Sequence, residues 1–226
     1  MKSPRFVFFG TPKLATIVLD KLKERGFIPS LVVTAPDIQS GRGMKMNSSP
    51  VKKWAQENSI PTIEPEAYDD RVIARLEAEQ ADVFVLVAYG KILSQKVIDI
   101  APGGILNVHP SLLPKFRGPS PVRSAILDDS KTTGVTVMLI DEEMDHGPIL
   151  IQEKYTPTKW PPNAQELDVY LFERGGALLA EALPKYLDGS LLPKEQDHDK
   201  ATYCKLFKKE DGLLDLSEDA YTNLLK

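Results

Sequence analysis

Three stretches of this sequence carry side chains able to do chemistry together. In Asn107-Val108-His109, which ends an apolar run just before Pro110, side chains two apart on a strand project to one face. Asn107 and His109 therefore share a spot while Val108 packs behind. An amide N–H can bond an oxygen that gains negative charge, and an imidazole can exchange protons near neutral pH. The pair thus suits attack of an amine on a carbonyl. Taken alone, a strand-end Asn making turn bonds and a His satisfied by backbone is the plainer reading. The segment Asp141-Glu142-Glu143-Met144-Asp145-His146-Gly147 places four carboxylates within five residues. It does not fit a calcium loop, because His146 stands where the sixth-position glycine belongs and Gln152 where the twelfth-position glutamate belongs. It reads either as a solvated acidic turn or as the source of one partly buried carboxylate that holds His109 in its cationic or correctly tautomeric form. Between these stretches, Ser111, Leu112, Leu113 and Pro114 open a loop reaching Gly118 whose two leucines need a ligand or a core. The glycine turns Gly10-Thr11-Pro12 and Gly41-Arg42-Gly43 match neither phosphate-binding fingerprint. Thr11 is read as part of a tight strand-to-helix connection open to a ligand contact.

Alternating strands and helices must position these groups. Residues 6–9 form a β-branched and aromatic run closed by Gly10, and Leu14, Val18, Leu19 and Leu22 then recur at helical spacing. Residues 31–34 read as a strand, 35–49 as a long loop of functional interest, and Pro50 as the first position of a helix. A helix over 69–79 precedes 82–88, an unbroken apolar run typical of a strand buried on both faces, and 105–109 is similar. This alternation predicts an α/β fold with a mainly parallel central sheet, ligands sitting beyond the carboxyl ends of its strands. Residues 136–140 and 149–153 read as a late antiparallel strand pair, 164–187 as an amphipathic helix closing the domain, and 190–226 as a mixed polar tail.

A chain of 226 residues can bury a core without staples, and one cysteine, Cys204, permits no internal disulfide. Few thiols and three histidines argue against zinc and for a reducing, cytoplasmic setting. No apolar stretch has the length of a signal peptide core or a membrane span. The net charge of −4 hides an asymmetry: residues 1–120 hold 16 Lys and Arg against 12 Asp and Glu, leaving 12 against 20 in the remainder. A polyanion would therefore meet the N-terminal half.

Jointly, Asn107-x-His109, the Ser111-Leu112-Leu113-Pro114 loop ending at Gly118, and Asp145 resemble the 10-formyltetrahydrofolate-dependent formyltransferases in order and separation. The likeness spans about residues 5–190 and implies a Rossmann-like formyltransferase fold. It further implies Asn107, His109 and Asp145 as the catalytic trio, with no metal required. Ser111, Leu112, Leu113 and Pro114, together with Tyr89, Gly90, Lys91, Ile92 and Leu93, would line the pocket for 10-formyltetrahydrofolate. Phe9-Gly10-Thr11-Pro12, the loop 36–45 and Ser49-Pro50-Val51-Lys52 are similar to the methionyl-tRNA branch of that family. That branch would make methionyl-initiator tRNA the acceptor, gripped by Thr11, Arg42, Lys45, Lys52 and Lys53. Residues 1–190 are then expected to form the catalytic domain of a monomer and 191–226 a tail, without the β-barrel domain that usually follows in the family.

Overall fold

The computed structural model describes residues 3–40 and 45–226, with the side chains at 38–40 and 45 outside that description. β1 (Phe6–Gly10) leads through α1 (Lys13–Glu24) to β2 (Leu31–Val33). The backbone of the following segment then contributes a two-stranded antiparallel pair, β3 (Ile38–Ser40) with β4 (Lys45–Asn47). α2 (Pro50–Glu57) begins at Pro50 as expected, its N-terminus capped by the Ser49 hydroxyl, which accepts from the Lys52 N–H at 3.0 Å. β5 (Thr62–Ile63), α3 (Asp70–Glu77), β6 (Val83–Val87), α4 (Gln95–Ile98), β7 (Ile105–His109) and α5 (Pro121–Leu127) follow. β8 (Thr133–Leu139), β9 (Ile149–Tyr155), α6 (Ala164–Leu187) and α7 (Ala220–Leu225) complete the chain.

The main sheet has seven strands in the order β5-β2-β1-β6-β7-β8-β9. The first five are parallel, while β7–β8 and β8–β9 pair antiparallel. This is the predicted α/β, Rossmann-like arrangement with its late antiparallel pair. The chain builds outward from β1 to β2 and β5, then returns to place β6 on the other flank of β1. Such a switch point opens a crevice at the carboxyl ends of the strands.

Period-two alternation divides the core into two layers. Phe6 and Phe8 of β1, Val83 and Val85 of β6 and Leu106 and Val108 of β7 pack toward α1 and α6. Val7, Phe9, Phe84 and Ile105 pack on the opposite face, against Leu76 of α3 and Val97 of α4. Val108 is thus committed to the α6 side, which turns Asn107 and His109 to the other. Gly175 permits this packing, because a Cβ there would lie 2.4 Å from Val108 Cγ1.

The region 190–226, expected as a mixed polar tail, runs back over the domain. Lys194 and Ile149 exchange both backbone hydrogen bonds at 2.7 and 2.8 Å, Arg117 N–H donates to Thr202 O at 2.8 Å, and Cys204 N–H donates to Arg117 O at 2.7 Å. Among the described residues no helix is long and apolar enough to cross a membrane.

Candidate active site

Asn107 and His109 end β7 and are only 8% and 4% exposed. Asp145, in the connection between β8 and β9, turns in beside them with φ at +50°, a left-handed conformation that Asp tolerates better than most residues. Its carboxylate is shared. Oδ2 accepts from the Gly118 backbone N–H at 2.7 Å and stands 3.6 Å from His109 Nδ1, while Oδ1 accepts from Asn107 Nδ2 at 3.4 Å. His109 Nε2 lies 2.9 Å from Phe116 O. A carbonyl can only accept, so Nε2 carries a proton and Nδ1 is the ring edge left to face Asp145 and the cleft. Of the four carboxylates in the acidic segment, Asp145 is the one brought to the imidazole; Asp141 accepts from His146 Nδ1 at 2.7 Å instead.

The three side chains open into a cleft of about 470 Å³ at the carboxyl ends of β6 and β7. Tyr89, Gly90, Lys91 and Ile92 form one wall. Ile92 is 91% exposed, an apolar face held in the open at the mouth. Thr11 Oγ1 donates to Tyr89 O at 3.0 Å, Tyr68 OH donates to Tyr89 OH at 2.9 Å, and Lys91 Nζ donates to Pro65 O at 2.6 Å, so this wall is fixed from behind. Burial pushes the Tyr89 phenol upward and keeps it neutral, opposed in part by the Tyr68 bond. Across the cleft, Arg123 Nη1 stands 3.4 Å from Asp168 Oδ2. Burial raises the Asp168 carboxyl above its ordinary value against the pull of Arg123.

Other expected residues lie elsewhere. Leu93 is half-buried against the β1–β6 core face and does not line the cleft. Ser111, Leu112, Leu113 and Pro114 do not line it either. The Ser111 hydroxyl donates to Lys115 O at 2.6 Å, Leu113 is buried, and Leu112 and Pro114 border a separate hollow. Leu113 is thus covered, while Leu112 stays half-buried at that hollow. Gln152 Nε2 donates to Leu113 O and to Thr136 Oγ1, both at 2.8 Å, which ties the segment to β8 and β9. The segment thereby fixes the loop that presents Phe116 O and the Gly118 N–H to the trio.

For the acceptor grip, Arg42 lies outside the described residues, as does the Lys45 side chain. Lys52 differs from its expectation: its Nζ pairs with Asp37 at 2.9 Å and Glu64 at 2.7 Å, which leaves it committed to carboxylates of its own domain. These bonds raise the Lys52 ammonium, Glu64 contributing most. Lys53, the next residue, is exposed. Thr11 serves the Tyr89 wall as described above.

Sequence reasoning missed the Phe116 carbonyl and the Gly118 N–H, since backbone groups leave no mark in composition. It also missed Arg117 and Gln196, buried polar residues behind the trio.

Residues 4–168 match the formyl transferase family. The methionyl-tRNA formyltransferase of Chloroflexus aggregans is 45% identical over 214 residues, which cover 93% of this chain and 68% of the relative. That of Thermotoga maritima is 39% identical over 217 residues, covering 96% and 69%. Among solved structures, the phosphoribosylglycinamide formyltransferase of Bacillus halodurans superposes with a TM-score of 0.67 at 27% identity, covering 82% of this chain and 96% of that one. The N-formyltransferase of Helicobacter canadensis, solved with folinic acid and dTDP-3-aminofucose, has a TM-score of 0.73 at 18% identity over 99% and 78%, which speaks to the fold alone. A family match across most of the chain, relatives near 40% identity along nearly its whole length, and a parallel sheet whose switch-point crevice holds the trio agree: the chain belongs to the formyl transferase family.

Proposed function

We propose that this chain transfers the formyl group of 10-formyltetrahydrofolate to the free amino group of methionyl-tRNA, the charged initiator tRNA, and so supports translation initiation. The observation that carries this reading is the convergence of Asn107, His109 and Asp145 at the floor of one cleft. The cleft's size falls within the range usual for small-ligand sites, and the exposed Ile92 beside Gly90, whose φ is +80°, offers a narrow apolar ledge for a flat ring. The 89–92 wall is therefore assigned to the folate, with the 111–114 segment acting through the loop it braces.

When bound, the folate supplies a formyl carbon that an amine can attack. The chain's own groups then have distinct tasks. Asn107 Nδ2 and a protonated His109 Nδ1 aim at the formyl oxygen, where negative charge develops as the amine adds. Phe116 O holds the opposite ring nitrogen, so the imidazole presents the same edge throughout. Asp145 stabilises the proton on His109, accepts the proton released by the attacking amine, directly or through water, and returns it to the departing folate nitrogen. Exposed Lys53, with Arg42 and Lys45, is assigned to acceptor phosphates; Lys52 is withdrawn from that role by its two carboxylate partners.

A panel of acceptors tests the assignment. With 10-formyltetrahydrofolate as donor, methionyl-tRNA should become formylated, while a nucleotide-linked amino sugar and glycinamide ribonucleotide should not. Formate release without any acceptor would favour a hydrolase, and preferential formylation of a small amine would move the chain to another branch of the family.

A further inference from the structure

Behind the trio sits a buried polar cluster that none of the steps above uses. Arg117 is 1% exposed and Gln196, seventy-nine positions later, is 5% exposed. Gln196 Oε1 accepts from Arg117 Nη2 at 2.8 Å and from Nε at 3.2 Å. Its Nε2 donates to Asp145 O at 2.9 Å and to Gly147 O at 2.7 Å. All of the amide's capacity is thereby spent on two loops, one carrying Asp145 and the other carrying Phe116 O and the Gly118 N–H. Two of the three remaining guanidinium N–H groups bond Tyr203 OH at 3.1 Å and His198 Nδ1 at 2.8 Å, and His198 stacks on His146 with ring centres 4.0 Å apart.

Asp145 needs such support. A residue with φ at +50° has a conformation that its neighbours must enforce, and its carboxylate meets His109 across a 3.6 Å gap that a small rotation would widen. The Gly118 N–H steadies the side chain, and the Gln196 amide steadies the backbone from which that side chain projects. We infer that Gln196, with Arg117 behind it, is a positioning residue for formyl transfer: it locks the Asp145 loop against the His109 loop so that the carboxylate stays registered on the imidazole. The inference rests on the trio assignment made above.

Gln196→Glu separates positioning from folding. The carboxylate keeps two oxygens for Arg117 but loses both N–H donors, and so releases Asp145 O and Gly147 O. In the full chain, this variant should melt as a folded protein, keep KM for 10-formyltetrahydrofolate within about threefold, and lose roughly 10- to 100-fold in kcat, the scale set by sub-ångström misplacement. The ring 15N shifts of His109, read by NMR at one fixed pH, should also move. Gln196→Ala should lose more, because it also strips Arg117 of its main acceptor. If wild-type chain transfers formyl groups while Gln196→Glu keeps kcat within about twofold and unmoved His109 shifts, the positioning role is wrong. Failure of both variants to fold would equally overturn it, making Gln196 a fold determinant. If wild-type chain shows no transfer but the His109 shifts still move, the activity reading falls and the clamp stands.

Discussion

Replacing Gly118 with alanine tests the loop that faces Asp145. The backbone there has φ at +114°, a region that costs a non-glycine residue on the order of 1–3 kcal/mol. A Cβ would lie 2.6 Å from Cys204 O and 3.2 Å from Cys204 Sγ, so the loop must shift away from the returning C-terminal segment. That shift draws the Gly118 N–H off Asp145 Oδ2, now 2.7 Å away, and a hydrogen bond to a charged acceptor is worth about 1.5–3 kcal/mol. Together these give about 2.5–6 kcal/mol of lost stability, which in a chain of this size lowers the melting temperature by roughly 5–24 °C. Scanning calorimetry reads that fall. Steady-state transfer on the folded fraction should show kcat reduced by about 100-fold, since Asp145 loses the contact that aims it at His109. Because the nearest obstructing atom is a backbone oxygen, Cys204→Ala in the same chain should not restore stability. A melting temperature within about 2 °C of wild type, or full rescue by Cys204→Ala, would refute the reasoning.

Three further outcomes follow from the geometry. Glu79 is pushed up by burial, yet the Ser30 bond and pairing with Arg75 and Arg5 more than offset this and hold its carboxyl below the ordinary range. A depressed acid adds stability above its unfolded value and loses it as pH falls through the folded one, so Glu79→Gln should lower the melting temperature more at pH 7 than at pH 3. Equal melting differences at both values would contradict this. Lys53→Ala should reduce the salt slope of tRNA binding by about one unit, whereas Lys52→Met should lower thermal stability with an unchanged slope; the reverse pattern would reassign the two lysines. Asn107→Ala should cut turnover by roughly 10²–10³ while folate binding, followed by fluorescence titration, persists.

Much of the scaffold was legible because burial on both faces writes itself as unbroken apolar runs. β1, β6 and β7 were found this way, and the period-two rule placed Asn107 and His109 together. β5 has two residues, and the β3 and β4 segments Ile38-Gln39-Ser40 and Lys45-Met46-Asn47 are short and mostly polar, so neither periodicity nor composition marks them. The 190–226 region shows no apolar period: Leu191 and Leu225 reach the core singly, and the rest of its hold is polar, through Gln196 on Arg117 and Thr202 on Phe116. Such partners are separated by about eighty positions, and local sequence carries no signal for them. The acidic segment shows the same limit: by residue type its four carboxylates look alike, and Asp145 stood out only through the family resemblance, whereas the structure distinguishes it by a left-handed turn and the Gly118 N–H. For the 111–114 segment the apolar cost was read correctly, but the structure meets it with packing on β8 and β9 instead of the cleft.

The central claim is that the Asn107, His109 and Asp145 cluster performs formyl transfer, and single-turnover transfer by Asp145→Asn tests it most directly. With enzyme in excess over methionyl-tRNA and saturating 10-formyltetrahydrofolate, wild type should formylate the acceptor in one exponential phase. The variant keeps the side chain's size and should bind donor equally, yet form product slower by roughly 10²-fold or more. A variant rate equal to that of wild type would contradict the account.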